Sequence, residues 1–155
     1  MKRSIVTASL AAVAALALSG APALSHDGHF SAGAPGDPKK PARTVLVKML
    51  DDGKKMSFEP ALVEVKRNEQ VRFVLDNVGT YDHEFVLATV AENRKHAEEM
   101  KKNPEMEHDD PNAKRLSPFT KGELVWRFTK RGEFEFACLI PGHSEAGMVG
   151  KVIVK

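Results

Sequence analysis

Residues 122–155, GELVWRFTKRGEFEFACLIPGHSEAGMVGKVIVK, carry the pattern that decides the fold. Apolar and polar side chains alternate in two long runs, and the stretch closes on a third apolar run, GKVIVK. The aligned apolar residues are Leu124, Trp126 and Phe128 in the first run, and Phe134, Phe136 and Cys138 in the second. Period-two alternation with β-branched and aromatic residues is typical of half-buried strands. Lys130-Arg131-Gly132 is interpreted as a hairpin loop between the first two strands.

The same alternation recurs earlier in the chain, which predicts four more strands. These runs are TVLVKML (44–50), LVEVK (62–66), QVRFVLDN (70–77) and HEFVLATV (83–90). Good helix formers that end at Asn103-Pro104 predict a short helix over 91–102, and residues 104–119 form a polar, proline-rich loop. Seven or so short strands with one helical insertion predict an all-β protein, an antiparallel Greek-key β-sandwich.

The N-terminus has the three-part pattern of a secretory signal. Lys2 and Arg3 precede an apolar run from Leu10 to Leu18, and small residues follow it. The run is shorter than the roughly 20 residues of a membrane span, although an uncut anchor is the alternative. Cleavage after Ala23 or Ser25 fits the small-x-small rule, and we favour Ser25. We therefore predict a signal peptide over 1–25, a flexible Gly- and Pro-rich arm over 26–43, and one domain over 44–155 in the periplasm.

Charge restricts the partners. The chain has 23 Lys and Arg against 21 Asp and Glu, a net charge of +2 with neutral histidines. Removing the signal peptide takes away two positive charges, at Lys2 and Arg3, and no negative one. Because no basic stripe remains, we expect no nucleic-acid partner. We expect a monomer with no membrane span in the mature chain.

Cys138 is the only cysteine, so an internal disulfide is impossible. A single thiol in an exported protein is either buried and inert, paired with another chain, or bound to a metal. His143 follows Cys138 after four residues, and Met148 follows His143 after another four. His83 opens a strand after a turn-like segment, which would place it at the same end of a sandwich as the Cys138 loop. One thiolate, two imidazoles and a weak thioether form the ligand set of a type 1 copper site. Zinc is the alternative metal, but a thioether suits copper better.

These motifs resemble those of the cupredoxins. CLIPGH followed by AGM is similar to rusticyanin-type ligand loops. YDHEFVLAT, the helical insertion, MEHDDPN and residues 122–151 resemble the periplasmic copper-tolerance cupredoxins of bacteria, so the resemblance covers residues 44–155. It implies the cupredoxin sandwich and one copper per chain. It also implies that His83, Cys138 and His143 are equatorial ligands and Met148 is the long axial ligand.

Further soft and imidazole side chains cluster outside the predicted strands. His26, His29, Met100, Met106 and His108 are candidate secondary copper ligands, and His96 lies four residues before Met100 on one helix face. The alternative is that they are ordinary surface residues of polar segments. No nucleophile–base pair is evident, so we expect no enzyme activity. Two functions stay open: copper tolerance through a redox-active site, and electron transfer to a redox partner protein.

Overall fold

The computed structural model describes residues 30–103 and 110–155. The predicted signal peptide and residues 104–109 lie outside these ranges. Within the described ranges, none of the helices combines the length and apolar character that crossing a membrane requires.

In the described residues, ten strands form two packed sheets and one helix lies outside them. In chain order they are β1 (Ala34–Pro35), β2 (Arg43–Asp51), β3 (Met56–Glu59), β4 (Leu62–Val65), β5 (Gln70–Asn77), β6 (His83–Ala88), α1 (Val90–Lys102), β7 (Ala113–Leu116), β8 (Lys121–Arg127), β9 (Gly132–Ala137) and β10 (Val149–Val154). The first sheet has the order β1-β8-β5-β2-β3, and the second has the order β4-β10-β9-β6-β7. The all-β sandwich with one helical insertion is confirmed.

Two strand pairs depart from the antiparallel prediction. β2 pairs with β5 in parallel, and β10 pairs with β4 in parallel. The hairpin interpretation of Lys130-Arg131-Gly132 is also wrong, because β8 belongs to the first sheet and β9 to the second. This segment therefore carries the chain from one sheet to the other. Alternation along a strand shows which face is buried but not which strand lies alongside, so the sequence pattern left these pairings undetermined.

Aromatic side chains from both sheets meet in the core. Phe85 stacks on Phe136 with ring centroids 4.9 Å apart, and Phe73 lies 5.1 Å from Phe85. Phe58 meets Phe136 edge-on at 5.1 Å. Phe73, Phe85 and Phe136 are fully buried, as the period-two alternation predicts. Packed aromatic pairs of this kind add to the area they bury, so the sandwich has a well-filled core.

The helix lies against the outer face of the second sheet. It begins with a capping box in which the Thr89 side chain accepts from the Glu92 N–H and Glu92 accepts from the Thr89 N–H. Met100 is fully buried and packs in a small apolar cluster with Val86, Ala137 and Leu139. Val86 is buried against this helix, whereas Phe85 and Leu87 on the other face are buried in the main core, and every residue of β6 is buried.

Part of the predicted flexible arm packs on the first sheet. Ala34 and Pro35 pair with β8, and the Gly36 N–H donates to the Val125 carbonyl at 2.8 Å. Ala32 is fully buried, and its carbonyl accepts the indole N–H of Trp126 at 3.1 Å. Within the predicted arm over 26–43, residues 32–36 therefore make specific contacts, which local Gly and Pro content does not indicate because the partners are distant in the chain. The flexibility of the arm stays a prediction.

Candidate metal centre

The candidate ligands come from adjacent elements of the second sheet. His83 is the first residue of β6, Cys138 directly follows β9, and Met148 directly precedes β10. β9 pairs with β6 through Val86 and with β10 through Val149, both opposite Ala137. The antiparallel register therefore brings the start of β6, the end of β9 and the start of β10 to the same end of the sheet.

Three donor atoms converge there. The Nδ1 atoms of His83 and His143 lie 3.3 Å apart, and Cys138 Sγ lies 3.3 Å from His143 Nδ1. One donor atom each from His83, Cys138 and His143 lies within 4.8 Å of the other two. His83 and Cys138 are fully buried, whereas His143 is partly exposed. Two imidazoles and a thiol that face each other inside a protein form a cage suited to a soft metal ion.

Main-chain hydrogen bonds hold the ligand loop closed. The Cys138 N–H donates to the Met148 carbonyl at 3.1 Å, and the Met148 N–H donates to the His143 carbonyl at 3.0 Å. The His143 N–H donates to the Ile140 carbonyl at 3.0 Å, across a turn in which Gly142 has φ +91°. That backbone conformation favours glycine, which explains the Pro-Gly turn between the thiol and the imidazole. The loop is thus shaped by its own backbone.

The thiol lies in an environment that disfavours its ionised form in the metal-free protein. Burial raises the pKa of Cys138 to about 12, although the backbone N–H of Glu84 counteracts part of this effect. That N–H points at Cys138 Sγ at 3.3 Å. A metal ion must therefore displace the thiol proton to bind the sulfur.

The two histidines differ in their surroundings. Burial lowers the pKa of His143, and the nearby His83 lowers it further, so His143 favours its neutral, ligating form. The Nε2 of His83 points away from the cluster to the Asp51 carboxylate at 3.2 Å. Burial would raise the pKa of Asp51, but hydrogen bonds from Thr80 and His83 outweigh it and hold this pKa below its usual value.

The sequence reasoning missed Asp51 as a member of this site. It closes β2 on the first sheet, 32 positions before His83 in the chain. An acidic residue at a strand end has no motif that distinguishes it from an ordinary surface residue. Only the contact between the two sheets identifies it.

The fourth predicted ligand, Met148, is fully buried beside the cage. Its backbone bonds to both Cys138 and His143 place it at the junction of the ligand loop and β10. The combination of thiol, two imidazoles and a buried thioether matches the donors that copper prefers in blue-copper sites. The residues present therefore fit copper. The role of each residue as a ligand remains a prediction.

The predicted secondary ligands are only partly described. His26, His29, Met106 and His108 lie outside the described residues. Met100 is buried in the apolar cluster under the helix, so it contributes to packing, and its ligand role stays a prediction. His96 lines a cavity of about 130 Å³ between α1, β6 and the residues that precede β7. Across residues 30–103 and 110–155, the cage of His83, Cys138 and His143 is the one cluster of at least three His, Cys, Asp or Glu donors at metal-binding separations.

The sandwich and its Cys–His–His cage together define the class of a cupredoxin. The profile described as "Copper binding proteins, plastocyanin/azurin family" matches residues 45–155. The chain belongs to this family of copper-binding proteins, and its cofactor is copper.

Individual relatives narrow the class. The chain is 54% identical over 131 residues to the copper-resistant cuproprotein CopI of Rubrivivax gelatinosus, covering 84% of this chain and 78% of the relative. It is 36% identical over 168 residues to the CopI protein of Pseudomonas aeruginosa, covering 89% and 91%. Among solved structures, auracyanin B superposes with a TM-score of 0.62 at 25% identity, covering 79% of this chain and 96% of that one. The chain is thus a cupredoxin similar to copper-resistance cuproproteins.

Proposed function

We propose that this protein binds one copper at a redox-active type 1 site and acts in bacterial copper tolerance. His83, Cys138 and His143 would be the equatorial ligands, and Met148 the weak axial ligand. The observation that carries the proposal is the convergence of three donor atoms within 4.8 Å at the edge of the second sheet. Copper would supply one-electron chemistry between its Cu(I) and Cu(II) states.

The polypeptide would keep the ligand geometry the same in both states. His83 belongs to β6, which is buried along its whole length, and Cys138 is tied to Met148 through the backbone. Because these ligands are held by strands and main-chain hydrogen bonds, they need little rearrangement when the charge of the site changes. The backbone N–H of Glu84 stabilises negative charge on Cys138 Sγ. We infer that the protein acts by binding and redox cycling and not as an enzyme.

The proposed role in copper tolerance is supported by two relatives named as copper-resistant cuproproteins, each aligned with most of this chain. Export to the periplasm is supported by the basic and apolar N-terminal pattern of residues 1–25. A copper-binding protein outside the cytoplasm would bind the metal before it reaches cytoplasmic targets.

A complementation experiment tests this proposal. A strain that lacks the gene would be grown in graded copper, in zinc and under respiratory conditions. Expression of the wild type should restore growth in copper, whereas the Cys138→Ser variant should not. Loss of respiration with unchanged copper tolerance in the deletion strain would contradict the proposal. Normal restoration by Cys138→Ser would show that tolerance does not depend on the type 1 site.

Electron transfer to a partner protein is the second candidate, and one observation favours it. Tyr81 is 50% exposed and meets the His143 ring edge-on, with the two ring centroids 6.4 Å apart. Phe119 is 73% exposed on a neighbouring turn. The Thr120 carbonyl bonds to the Asn77 N–H at 2.9 Å, which holds that turn beside the loop that contains Tyr81. Exposed aromatic side chains beside a partly exposed ligand suit a protein contact. A respiratory defect in the deletion strain that Tyr81→Ser and Phe119→Ser reproduce would favour this function.

A further inference from the structure

We propose that Asp51 is a positioning residue for the copper site, which selects the tautomer of His83 and favours the oxidised metal. This inference rests on the proposed role of His83 as a copper ligand. Asp51 lies on the first sheet, whereas the four candidate ligands lie on strands of the second sheet or on the loop that joins two of them. The contact therefore joins the two sheets at the site.

The carboxylate is enclosed and fully engaged. The Asp51 side chain is 4% exposed, and the His83 side chain is 0% exposed. Asp51 Oδ2 lies 3.2 Å from His83 Nε2 and also accepts the Thr80 N–H at 2.7 Å. Asp51 Oδ1 accepts the Thr80 hydroxyl at 2.9 Å. A carboxylate held by several donors cannot swing away from His83 without breaking hydrogen bonds.

The backbone leaves room for this contact at a glycine. A Cβ atom built on Gly79 would lie 1.9 Å from Asp51 Oδ2 and 3.0 Å from His83 Nε2. Any larger residue would displace the carboxylate, the ring or the loop. The loop at 79–81 is thus shaped around the pair of Asp51 and His83.

This geometry determines which ring nitrogen of His83 carries the proton. A carboxylate has only acceptors, so the nitrogen that faces it must be the N–H donor. His83 Nε2 therefore holds the proton, and the lone pair of Nδ1 faces Cys138 and His143. Histidines that bind metals commonly donate their other N–H to such a partner, which makes the ring a better ligand. The negative charge so close to the ring also favours Cu(II) over Cu(I).

A purely structural role for Asp51 is the competing explanation, because the same carboxylate anchors Thr80. The two roles predict different measurements. Loss of an anchor would reduce stability, whereas loss of the His83 contact would change the balance between the two copper states. The reduction potential of the site reports that balance directly.

The test compares Asp51→Asn with two controls. Asp52→Asn removes the same charge from the adjacent residue, whose carboxylate accepts from the Lys54 and Lys55 N–H groups and makes no contact with His83. Thr80→Val removes the hydroxyl bond to Asp51 and leaves the carboxylate facing His83. Outer partners of metal ligands are worth roughly 10- to 100-fold in affinity.

We expect Asp51→Asn to weaken Cu(II) binding at least tenfold relative to Cu(I), which corresponds to a potential about 59 mV higher per tenfold for a one-electron couple. Both controls should keep the wild-type potential. An Asp51→Asn protein that retains its visible band and its wild-type potential would overturn the inference. An equal rise of the reduction potential in Asp52→Asn would also overturn it.

A measurement on the wild type keeps the inference testable if Asp51→Asn fails to fold. Nitrogen-15 NMR of the Cu(I)-loaded protein should show a slowly exchanging proton on His83 Nε2. A proton that exchanges as fast as that of an exposed histidine would contradict the contact with Asp51. If the wild type gave no thiolate-to-copper band at all, the proposed function itself would fail, and that outcome is distinct from an unchanged potential at an intact site.

Discussion

The two sheets of the sandwich contribute differently to the metal centre. The second sheet carries His83, Cys138 and Met148 at the adjoining ends of β6, β9 and β10, and the loop between β9 and β10 carries His143. The first sheet provides no candidate ligand. It contributes half of the aromatic core and, through Asp51, one contact with the outer nitrogen of His83.

This division shows how a rigid site can be built from few residues. Strand register sets the spacing of the ligands, because neighbouring strands of one sheet lie about 4.8 Å apart. The opposite sheet can then adjust the site without touching the metal. If this view is correct, replacing Cys138 at the end of β9 should abolish the site, whereas changes in the first sheet should alter stability or redox balance and leave the site in place.

The largest expected effect is at the thiol. Replacing Cys138 with Ser should abolish the thiolate-to-Cu(II) band in the visible spectrum while the sandwich stays folded, because the sulfur is the source of that transition. Absorption and circular dichroism of the purified protein would be compared. Ser144→Ala, in the same loop, is the matched control and should keep the band. A Cys138→Ser protein with its visible band intact would show that the type 1 assignment is wrong.

A core truncation in the first sheet should affect stability and not colour. Phe73 is fully buried against Phe85, so Phe73→Ala should reduce the free energy of unfolding by about 3–5 kcal/mol. Denaturant unfolding of the copper-free protein would measure the loss. The folded, copper-loaded variant should keep the wild-type spectrum. A changed spectrum would show that the core of the first sheet also determines the geometry of the metal site.

Copper binding should release one proton from Cys138. Because burial raises the thiol pKa to about 12, the copper-free protein holds this proton at neutral and mildly alkaline pH. Because the pKa of His143 is lowered, this ring is already neutral in the same pH range and does not have to lose a proton for its free nitrogen to bind copper. Copper affinity should therefore rise about tenfold per pH unit between roughly pH 7.5 and 10. Competition with a chelator of known pH dependence would measure the slope, and a flat profile would indicate a thiolate already present.

The axial position should tune the site without being required for it. Met148→Leu should retain copper and raise the reduction potential, because a long thioether bond contributes little to binding but donates electron density to the metal. Voltammetry of the wild type and the variant gives the shift. Since Met148 is fully buried, Leu is chosen to conserve volume. Complete loss of copper from the variant would count against an axial role.

The smallest expected effect concerns additional copper. If the protein handles copper as cargo, the candidate secondary ligands should bind a second, weaker equivalent. Titration would compare the wild type with a variant in which His26, His29, Met106 and His108 become Ala and Met100 becomes Leu. Met100 needs the conservative change because it is the helix residue that packs against Val86, Ala137 and Leu139. Identical one-copper curves would exclude the second equivalent and favour the electron-transfer function.

Local patterns in the sequence predicted most of the fold. Alternation identified β2, β4, β5, β6, β8, β9 and β10, and the helix begins and ends within one residue of its predicted bounds. β1, β3 and β7 were missed because Ala34–Pro35 and Met56–Glu59 are short and Ala113–Leu116 lies within a polar, proline-rich segment. The parallel pairs depend on contacts between distant segments, which alternation does not encode.

The candidate site divides in the same way. The spacing of Cys138, His143 and Met148 reflects one closed loop, so local sequence was enough to suggest it. His83 was inferred from its position at a strand start, and the structure brings it to that loop. Asp51 and the buried state of Met100 depend on packing between elements, and neither has a local signature.

The buried tryptophan of the first sheet offers a practical reporter. Trp126 is the single tryptophan of the chain, it is fully buried, and its indole N–H bonds to the Ala32 carbonyl. Phe30 covers the same indole edge-on at 5.2 Å. The fluorescence emission of Trp126 should therefore be blue-shifted in the native protein. It should move to longer wavelength when residues 30–33 are deleted or detached. Trp126 pairs with Val71 near the start of β5, away from the loop that leads to His83. The emission maximum would thus follow attachment of the N-terminal segment at the end of the sandwich remote from the ligands, without mutation of any residue near the metal.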